Sequence, residues 1–301
     1  MQEGMTMGAY FTSNNMNIIN INMILLVVAA LLPAIILCIY VFCKDRVEKE
    51  PVGMLLKLFF WGALICFPAA LLENVAEPII LSVFSGVANL FPALLSIWKY
   101  LFVFIDMLFG VALIEEGLKW IVLIWLTKEN RAFNSLFDGL IYAVFVSLGF
   151  AAFENVLYVI NNGWTVAVMR AFLSVPGHMF FSVLMGYYYS LWKITAQAKR
   201  LEMEFQNRNL IDKNVRNFSC GKYVVLSLVM SVLAHGFYNF CATVGELCAV
   251  FAMLMFVAVL YWYCFGKIRT LSRCDSSIQN YAILMILKKY PALESIVKNE
   301  L

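Results

Sequence analysis

Charged residues are scarce in this sequence, and the apolar stretches between them are long. Only 14% of the 301 residues are charged and 63% are hydrophobic, with a mean hydropathy of +0.82. These values lie well outside the range of soluble globular domains, so we expect an integral membrane protein. The net charge of +3 does not indicate nucleic acid binding, because the basic residues are segregated by membrane side and are not gathered in one patch.

Several common catalytic motifs are also missing. The chain has no GxSxG element, no HExxH element and no CxxC pair. A serine or cysteine nucleophile and the usual three-ligand zinc spacing are therefore not predicted. The eight cysteines are expected to be mainly small apolar residues within the spans. Cys241 and Cys248 flank a short turn and could form a disulfide.

Seven apolar stretches are long enough to cross a bilayer as helices. All but three of the 22 Lys and Arg residues fall on one side of these stretches, which the positive-inside rule makes cytoplasmic. The predicted fold class is all-α, a polytopic membrane helix bundle in the lipid bilayer with its N-terminus outside and its C-terminus in the cytoplasm. The predicted spans are residues 18–42, 54–80, 100–127, 138–160, 164–192, 222–243 and 246–265.

The chain is expected to form one integral-membrane domain over residues 1–301, without an internal repeat. Residues 1–17 are predicted to be a polar extracytoplasmic N-terminus; they contain no Lys or Arg and so do not resemble the n-region of a cleaved signal peptide. Residues 193–222 are predicted to be a basic cytoplasmic loop and residues 267–301 a cytoplasmic tail. Within the tail, residues 281–290 are expected to form an amphipathic surface helix.

The sequence Ile114-Glu115-Glu116-Gly117-Leu118-Lys119-Trp120 places three ionisable residues inside an apolar span. An ionised side chain at the bilayer centre costs about 2.5 to 3.5 kcal/mol on insertion scales, so these residues must pair or face a polar cavity. Lys119 lies three and four positions after the two glutamates, and its ammonium can pair with either. The less well paired carboxylate is predicted to act as a base. The alternative is a neutralised cluster that only holds helices together.

Counting residues from the inner end of each span places the titratable groups of four helices at one depth. His178 follows Pro176-Gly177, where the missing backbone hydrogen bond predicts contact with a water-filled cavity; a kink that serves packing alone is the alternative. Glu154 shares a helix face with Tyr158, and either a structural or a catalytic role suits it. The layer consists of Glu115, Glu116, Glu154, His178 and His235.

His235 belongs to a polar stripe in which Ser227, Ser231, His235 and Asn239 recur every four residues. His235 and Asn239 both offer N–H groups without negative charge, so we predict that they donate hydrogen bonds to a developing oxyanion. A carboxylate base, a histidine that handles protons and two oxyanion donors predict hydrolysis of a carbonyl compound by activated water. No cofactor is predicted, although His178, His235 and Glu115 could instead bind zinc with an open position.

These residues resemble motifs of the PrsW family of intramembrane proteases. Glu115-Glu116-Gly117-Leu118-Lys119 is similar to the family's EExxK motif, and His178 and His235 match its two later histidine positions. Asp138-Gly139 with residues 149–155 and Tyr158 resembles the second motif, and residues 45–51 resemble the charged turn after the first helix. The family is distantly similar to type II CAAX prenyl endopeptidases and bacteriocin-processing homologues, whose HxxxN/D element is matched by His235 to Asn239.

The resemblance implies a multi-pass protein of the bacterial cell membrane. It implies an endopeptidase that makes the first cut, on the extracytoplasmic side, in a single-pass anti-sigma factor. It further implies Glu115 as the water-activating base, Glu116 as its partner, His178 as assisting acid or base, and His235 with Asn239 as oxyanion stabilisers.

One difference from the CAAX enzymes and one alternative function follow from the same residues. Where the CAAX enzymes have an FxxxH element, this chain has Phe153-Glu154-Asn155-Val156-Leu157-Tyr158, so a peptide is expected rather than a prenylated substrate. A non-enzymatic membrane protein is the second alternative, either an immunity protein that binds a peptide or a proton or ion translocator. A translocator would use Glu73, Glu77, Glu115 and Glu154 as a relay, but it would not need the oxyanion donors.

Overall fold

The computed structural model describes residues 7–46, 48–90, 95–215 and 217–294, and its regular elements are helices. The α-helices are α1 (Met7–Lys44), α2 (Val52–Leu64), α3 (Cys66–Leu90), α4 (Leu95–Ile105), α5 (Leu113–Thr127), α6 (Leu136–Asn162), α7 (Trp164–Phe172), α8 (Ser174–Asn207), α9 (Gly221–Val244), α10 (Leu247–Arg273) and α11 (Ile278–Lys289). A π-helical segment (Asp106–Ala112) joins α4 to α5, and a short 3-10 helix (Pro291–Leu293) follows α11. Residues 1–6 of the predicted polar N-terminus, Arg216 of the predicted loop and residues 295–301 of the predicted tail lie outside the described residues.

Seven helical stretches of the described residues are long and apolar enough to cross a membrane, which confirms the predicted all-α bundle with seven spans. Three of them are not continuous α-helices: α2 and α3 share one span, α4 and α5 share another through the π-helical segment, and α7 and α8 share a third. The stretches are Asn22–Lys44, Val52–Val87, Ile97–Thr127, Leu136–Asn162, Trp164–Asn207, Gly221–Val244 and Leu247–Arg273.

Helix α6 lies at the centre of the bundle. Of the residues in its membrane-spanning part, 94% are buried, whereas the corresponding share is 22% in α1 and 22% in α10. Two glycines allow α2 to approach α6 closely: a Cβ atom on Gly62 would lie 2.0 Å from the carbonyl oxygen of Val146, and one on Gly149 would lie 1.9 Å from that of Phe59. Because α6 touches its neighbours on all sides, residues on this helix are well placed to support a buried site.

A capping box fixes the start of α6. The Ser135 hydroxyl accepts a hydrogen bond from the backbone N–H of Phe137, and the Asp138 carboxylate accepts from the backbone N–H of Ser135 at 2.6 Å. Beside this cap, Tyr142 of α6 donates a hydrogen bond to the buried carboxylate of Glu50. The backbone N–H of Ile278 donates to the Asn134 carbonyl at 2.7 Å, so the C-terminal region is attached to the same end of α6.

The region after the fifth span is more helical than a loop. Helix α8 continues to Asn207, so the first half of the predicted loop 193–222 extends the span. The predicted surface helix is present as α11, but its apolar face is covered by protein: Ile286 is fully buried in a cluster with Phe205 of α8. The carboxylate of Glu202 holds α11 in place by accepting hydrogen bonds from Lys289 and Tyr290, each at 2.7 Å.

The suggested disulfide is not formed. Cys241 is buried and Cys248 is exposed, and both are free thiols. Gly245 adopts the left-handed conformation that ends α9 (φ 66°), and this turn separates the two cysteines.

Candidate active site

Four titratable side chains from three helices meet inside the bundle. They are Glu115, Glu116, His178 and His235, and all four are buried. One carboxylate oxygen or imidazole nitrogen from each residue lies within 4.8 Å of those from the other three. Helix α5 supplies the glutamates, α8 supplies His178 and α9 supplies His235. The sequence placed these groups at one depth, and the fold brings them into contact. With Lys119 they are called the polar cluster below.

Lys119 is the counter-ion of the polar cluster. Its Nζ atom donates to Oε2 of Glu115 at 3.0 Å and to Oε1 of Glu116 at 2.8 Å, and it lies 3.2 Å from Nδ1 of His178. It also lies 4.1 Å from the centre of the Phe150 ring. These contacts compensate for the cost of burying an ammonium at a position that is only 1% exposed.

The contacts of His235 define the role of Glu116. Nδ1 of His235 lies 3.0 Å from Oε1 of Glu116, and the imidazole stacks on Phe181 with ring centres 4.9 Å apart. Because a carboxylate can only accept, Nδ1–H is the donor in this pair. The other oxygen of Glu116, Oε2, is buried and has no hydrogen-bond partner among the described residues. Glu116 therefore orients His235 and Lys119 from behind the site.

His178 connects the polar cluster to Glu154. Its Nε2 atom lies 3.0 Å from Oε2 of Glu154, while Nδ1 faces Lys119. An ammonium has no lone pair, so Nδ1 accepts from Lys119 and Nε2–H donates to Glu154. Both ring nitrogens of His178 are thus engaged, in one neutral tautomer.

Arg170 is a site residue that the sequence analysis did not identify. Its Nη2 atom donates to Oε2 of Glu154 at 2.7 Å, and its Nε atom donates to Oδ1 of Asn155 at 2.9 Å. The guanidinium also stacks over the Tyr158 ring at 4.1 Å. Arg170 therefore contacts both Glu154 and Tyr158, which were predicted to share one helix face. A signal was present in the sequence, because Arg170, like Lys119, is a basic residue within a predicted apolar span.

The break in the fifth span lies at Leu173, three residues before Pro176. Helix α7 ends at Phe172 and α8 begins at Ser174, which places Pro176 in the first turn of α8. A proline is tolerated there because the first-turn N–H groups have no partner within the helix. The break separates Arg170 on α7 from His178 on α8, and both residues contact Oε2 of Glu154.

A cavity of about 730 Å³ opens next to the polar cluster. Glu115, His178, His235 and Glu154 line this central cavity, whereas neither Glu116 nor Lys119 does. Further lining residues include Glu73, Tyr158, Arg170 and Asn239, with apolar side chains such as Leu157, Met169 and Met253 between them. Asn239 lies one turn beyond His235 and forms no side-chain hydrogen bond with the described residues, so its amide is available to a ligand.

The polar cluster contains donor types that suit a metal ion, but their arrangement does not. Two imidazoles and a carboxylate are a common zinc ligand set, with bonds of about 2.0 to 2.2 Å. The ammonium of Lys119 lies among these donors, within 3.2 Å of atoms of Glu115, Glu116 and His178. A cation could take this place only if Lys119 withdrew, so the described residues do not fit a metal ion as they are arranged.

Comparisons with known proteins match most of the chain. The family model described as PrsW family intramembrane metalloprotease matches residues 50–263. Protease PrsW of Bacillus subtilis is 31% identical over 241 residues, which cover 80% of this chain and 93% of the relative. Protease PrsW of Halalkalibacterium halodurans is 31% identical over 252 residues, covering 83% and 98%, and that of Oceanobacillus iheyensis is 29% identical over 237 residues, covering 77% and 92%. No solved structure matches the chain.

Proposed function

The chain belongs to the PrsW family of intramembrane proteases, and we propose that it cleaves a membrane-anchored protein with a water molecule activated by Glu115. The observation that supports this most directly is the difference between the two adjacent glutamates. Glu115 lines the central cavity and Glu116 lies behind it. Lys119 donates to Oε2 of Glu115, and Oε1 has no hydrogen-bond partner among the described residues. A water in the cavity can therefore donate a hydrogen bond to Oε1.

The proposed reaction begins when Glu115 accepts a proton from this water. The water oxygen forms a bond to the carbonyl carbon of the substrate, and the carbonyl electron pair moves onto its oxygen. The side-chain N–H of Asn239 donates a hydrogen bond to this oxyanion. The oxyanion then re-forms the carbonyl, the C–N bond breaks, and the proton returns to the leaving nitrogen. Lys119 fixes the orientation of the Glu115 carboxylate throughout.

The hydrogen bonds support roles for His178 and His235 that differ from the roles implied by the family resemblance. Both nitrogens of His178 are engaged, with Lys119 and Glu154, so this ring is suited to holding the site together. His235 has one nitrogen engaged with Glu116, and Nε2 has no partner among the described residues. Nε2 carries the lone pair of the neutral ring and faces no other donor in the described part of the chain, so His235 is suited to relay a proton to the leaving nitrogen.

No step of this mechanism passes through a metal ion. The matching family model carries the word metalloprotease in its description, but the ammonium of Lys119 lies among three of the four residues that could bind a metal. The translocator alternative is also less well supported by the contacts. Glu115 is ion-paired with Lys119, and Glu154 is ion-paired with Arg170. A carboxylate held by a fixed positive charge is a poor site for taking up and releasing protons in a relay.

The proposed substrate is a single-pass membrane protein, and the resemblance implies an anti-sigma factor that receives its first cut on the extracytoplasmic side of the cell membrane. Apolar residues such as Leu157, Met169 and Met253 occupy much of the cavity wall. They suit a membrane segment better than a water-soluble peptide. We propose the corresponding topology, with the N-terminus outside and the C-terminus in the cytoplasm.

A reconstituted cleavage assay tests this function. The purified full-length chain is placed in liposomes with single-pass anti-sigma factors, and the fragments are identified by mass spectrometry. The proposal predicts a new terminus within or next to the transmembrane segment of one of these proteins. The same liposomes should show no proton flux above that of empty vesicles when a pH gradient is imposed. Proton flux without cleavage of any substrate would support the translocator instead.

A further inference from the structure

A second concave site lies at the end of the bundle where α1 and α10 finish. Its volume is about 660 Å³, which is within the range of small-molecule binding sites. It shares no lining residue with the central cavity. Aromatic and basic side chains make up most of its wall, namely Tyr40, Trp262, Tyr263, Phe265, Lys267 and Arg269. We call it the α1–α10 pocket.

The positive charges of the α1–α10 pocket have no counter-ion in the described part of the chain. Lys267, which lines the pocket, lies 4.3 Å from the centre of the Tyr187 ring and 5.5 Å from that of Tyr263. Lys44 is not a lining residue, but it lies 5.4 Å from the centre of the Tyr40 ring, which is. Neither of these lysines, nor Arg269, forms an ion pair with a described carboxylate. Aromatic rings stabilise cations only modestly. The pocket therefore offers two basic groups, those of Lys267 and Arg269, to an external anion.

The position of the pocket indicates what kind of anion it meets. The apolar spans of α1 and α10 end at Lys44 and Arg273, and basic and aromatic residues at span ends lie at the depth of the lipid headgroups. Exposed apolar side chains lead from the pocket towards the middle of the membrane. Ile39 is 57% exposed, Val259 is 60% exposed and Trp262 is 79% exposed. A ligand with a negative headgroup and apolar tails matches both parts of this surface.

We propose that the α1–α10 pocket binds an anionic phospholipid. Arg269 and Lys267 contact its phosphate, Trp262 and Tyr263 enclose the headgroup, and its acyl chains lie along the exposed faces of α1 and α10. The bound lipid bridges the two helices at the point where the Tyr40 and Phe265 rings meet edge to face, 5.8 Å apart.

The bridge is connected to the active-site helix. Phe265 packs against Phe180 of α8 with ring centres 4.9 Å apart, and Cys264 donates to the Phe180 carbonyl. Phe180 lies two residues after His178. A lipid that holds α1 against α10 therefore stabilises the packing beneath the polar cluster.

Native mass spectrometry of the full-length chain in detergent tests this proposal. The chain is titrated separately with phosphatidylglycerol, with phosphatidylcholine and with inorganic phosphate. We expect one phosphatidylglycerol to bind with clear preference over phosphatidylcholine, and inorganic phosphate not to displace it at equal concentration. The double variant K267Q/R269Q should bind phosphatidylglycerol about 30-fold more weakly, because a basic residue near an anionic lipid contributes about fivefold in affinity.

The control is R131Q/K213Q, which removes the same charge from an exposed arginine and an exposed lysine that do not line the pocket. This variant should bind phosphatidylglycerol as the wild type does. Equal loss in both double variants would overturn the proposal, because it would show attraction by net charge alone. Equal binding of the two lipids by the wild type would overturn it without any variant, as would displacement of the lipid by inorganic phosphate.

Discussion

Nζ of Lys119 lies 3.2 Å from Nδ1 of His178, although the two residues are on different helices and 59 positions apart. An ammonium can only donate, so this contact fixes His178 in the tautomer that carries its proton on Nε2. That proton is then directed at Glu154. One lysine therefore pairs with both glutamates of α5 and also sets the hydrogen-bond direction of the histidine on α8.

The same contact leads to a prediction about metal ions. Because the ammonium lies among the donors that zinc would need, wild-type protein should contain no stoichiometric zinc and should retain its activity in 1,10-phenanthroline. Lys119→Ala vacates the place and leaves two glutamates and two histidines within 4.8 Å of one another. This variant should acquire zinc, measured by inductively coupled plasma mass spectrometry. A wild-type enzyme that carries one zinc per chain and loses activity when stripped would contradict the arrangement described here.

Arg170 is predicted to act as a positioning residue through Glu154. Arg170→Gln removes the ion pair to Glu154, so Glu154 and His178 lose their fixed orientation. We expect kcat to fall about 10- to 100-fold, as small misplacements in active sites do, with little change in KM. Arg170→Lys keeps the charge but cannot also bond Asn155, and it should recover part of the loss. A fall in thermal stability with unchanged kcat for the folded fraction would show that Arg170 is structural only.

The contact between α2 and α6 gives a prediction about stability. Gly62→Ala places a Cβ atom 2.0 Å from the Val146 carbonyl oxygen, and the resulting separation of the helices should cost about 1 to 3 kcal/mol. Gly53 lies on the same helix, and a Cβ atom there would meet nothing within 4 Å. Gly53→Ala is the matched control and should leave stability unchanged or raise it by about 0.4 to 1 kcal/mol. Thermal unfolding in detergent measures both, and equal midpoints would contradict the packing.

Glu50 is predicted to make stability depend on pH. Burial raises its pKa from 4.5 to about 8, with the negative charges of Asp138 and Asp45 acting in the same direction and the hydrogen bond from Tyr142 opposing them. Between these two values the folded chain holds a proton that the unfolded chain releases. Stability therefore falls as the pH rises from about 4.5 to about 8.

Glu50→Gln is neutral at every pH and can still accept from Tyr142. Its thermal midpoint should decline less than that of the wild type across this pH range. Parallel declines in the two proteins would show that Glu50 does not carry the effect.

The sequence was sufficient to predict the helical class, the seven spans and the depth of the buried polar residues. Hydropathy and helical rise determine these features locally. The pairing of Lys119 with Glu115 and Glu116 is also local, because all three residues lie within two turns of one helix. For Glu116 and His235 the sequence could predict only that the two residues lie at the same depth in the membrane, not that they touch. Which atoms meet depends on the rotation of α9 against α5.

Other features could not be predicted because they depend on tertiary packing. Arg170 and Glu154 meet on different helices, and the span that carries Arg170 breaks at Leu173, earlier in the chain than Pro176 suggests. The π-helical segment Asp106–Ala112 has no pattern that distinguishes it from a regular apolar helix. The apolar face of α11 suggested a membrane surface, whereas α8 extends far enough to cover it.

The central claim is that Glu115 activates the water that cleaves the substrate. The most direct measurement compares single-turnover cleavage of a single-pass substrate by the wild type, Glu115→Gln and Glu77→Gln in liposomes. Glu77 is exposed on α3 and does not line the central cavity, so it provides the same chemical change outside the site. Our account predicts a loss of about 10²- to 10⁴-fold for Glu115→Gln, the usual contribution of a general base, and full activity for Glu77→Gln. Cleavage by Glu115→Gln at the wild-type rate would contradict it.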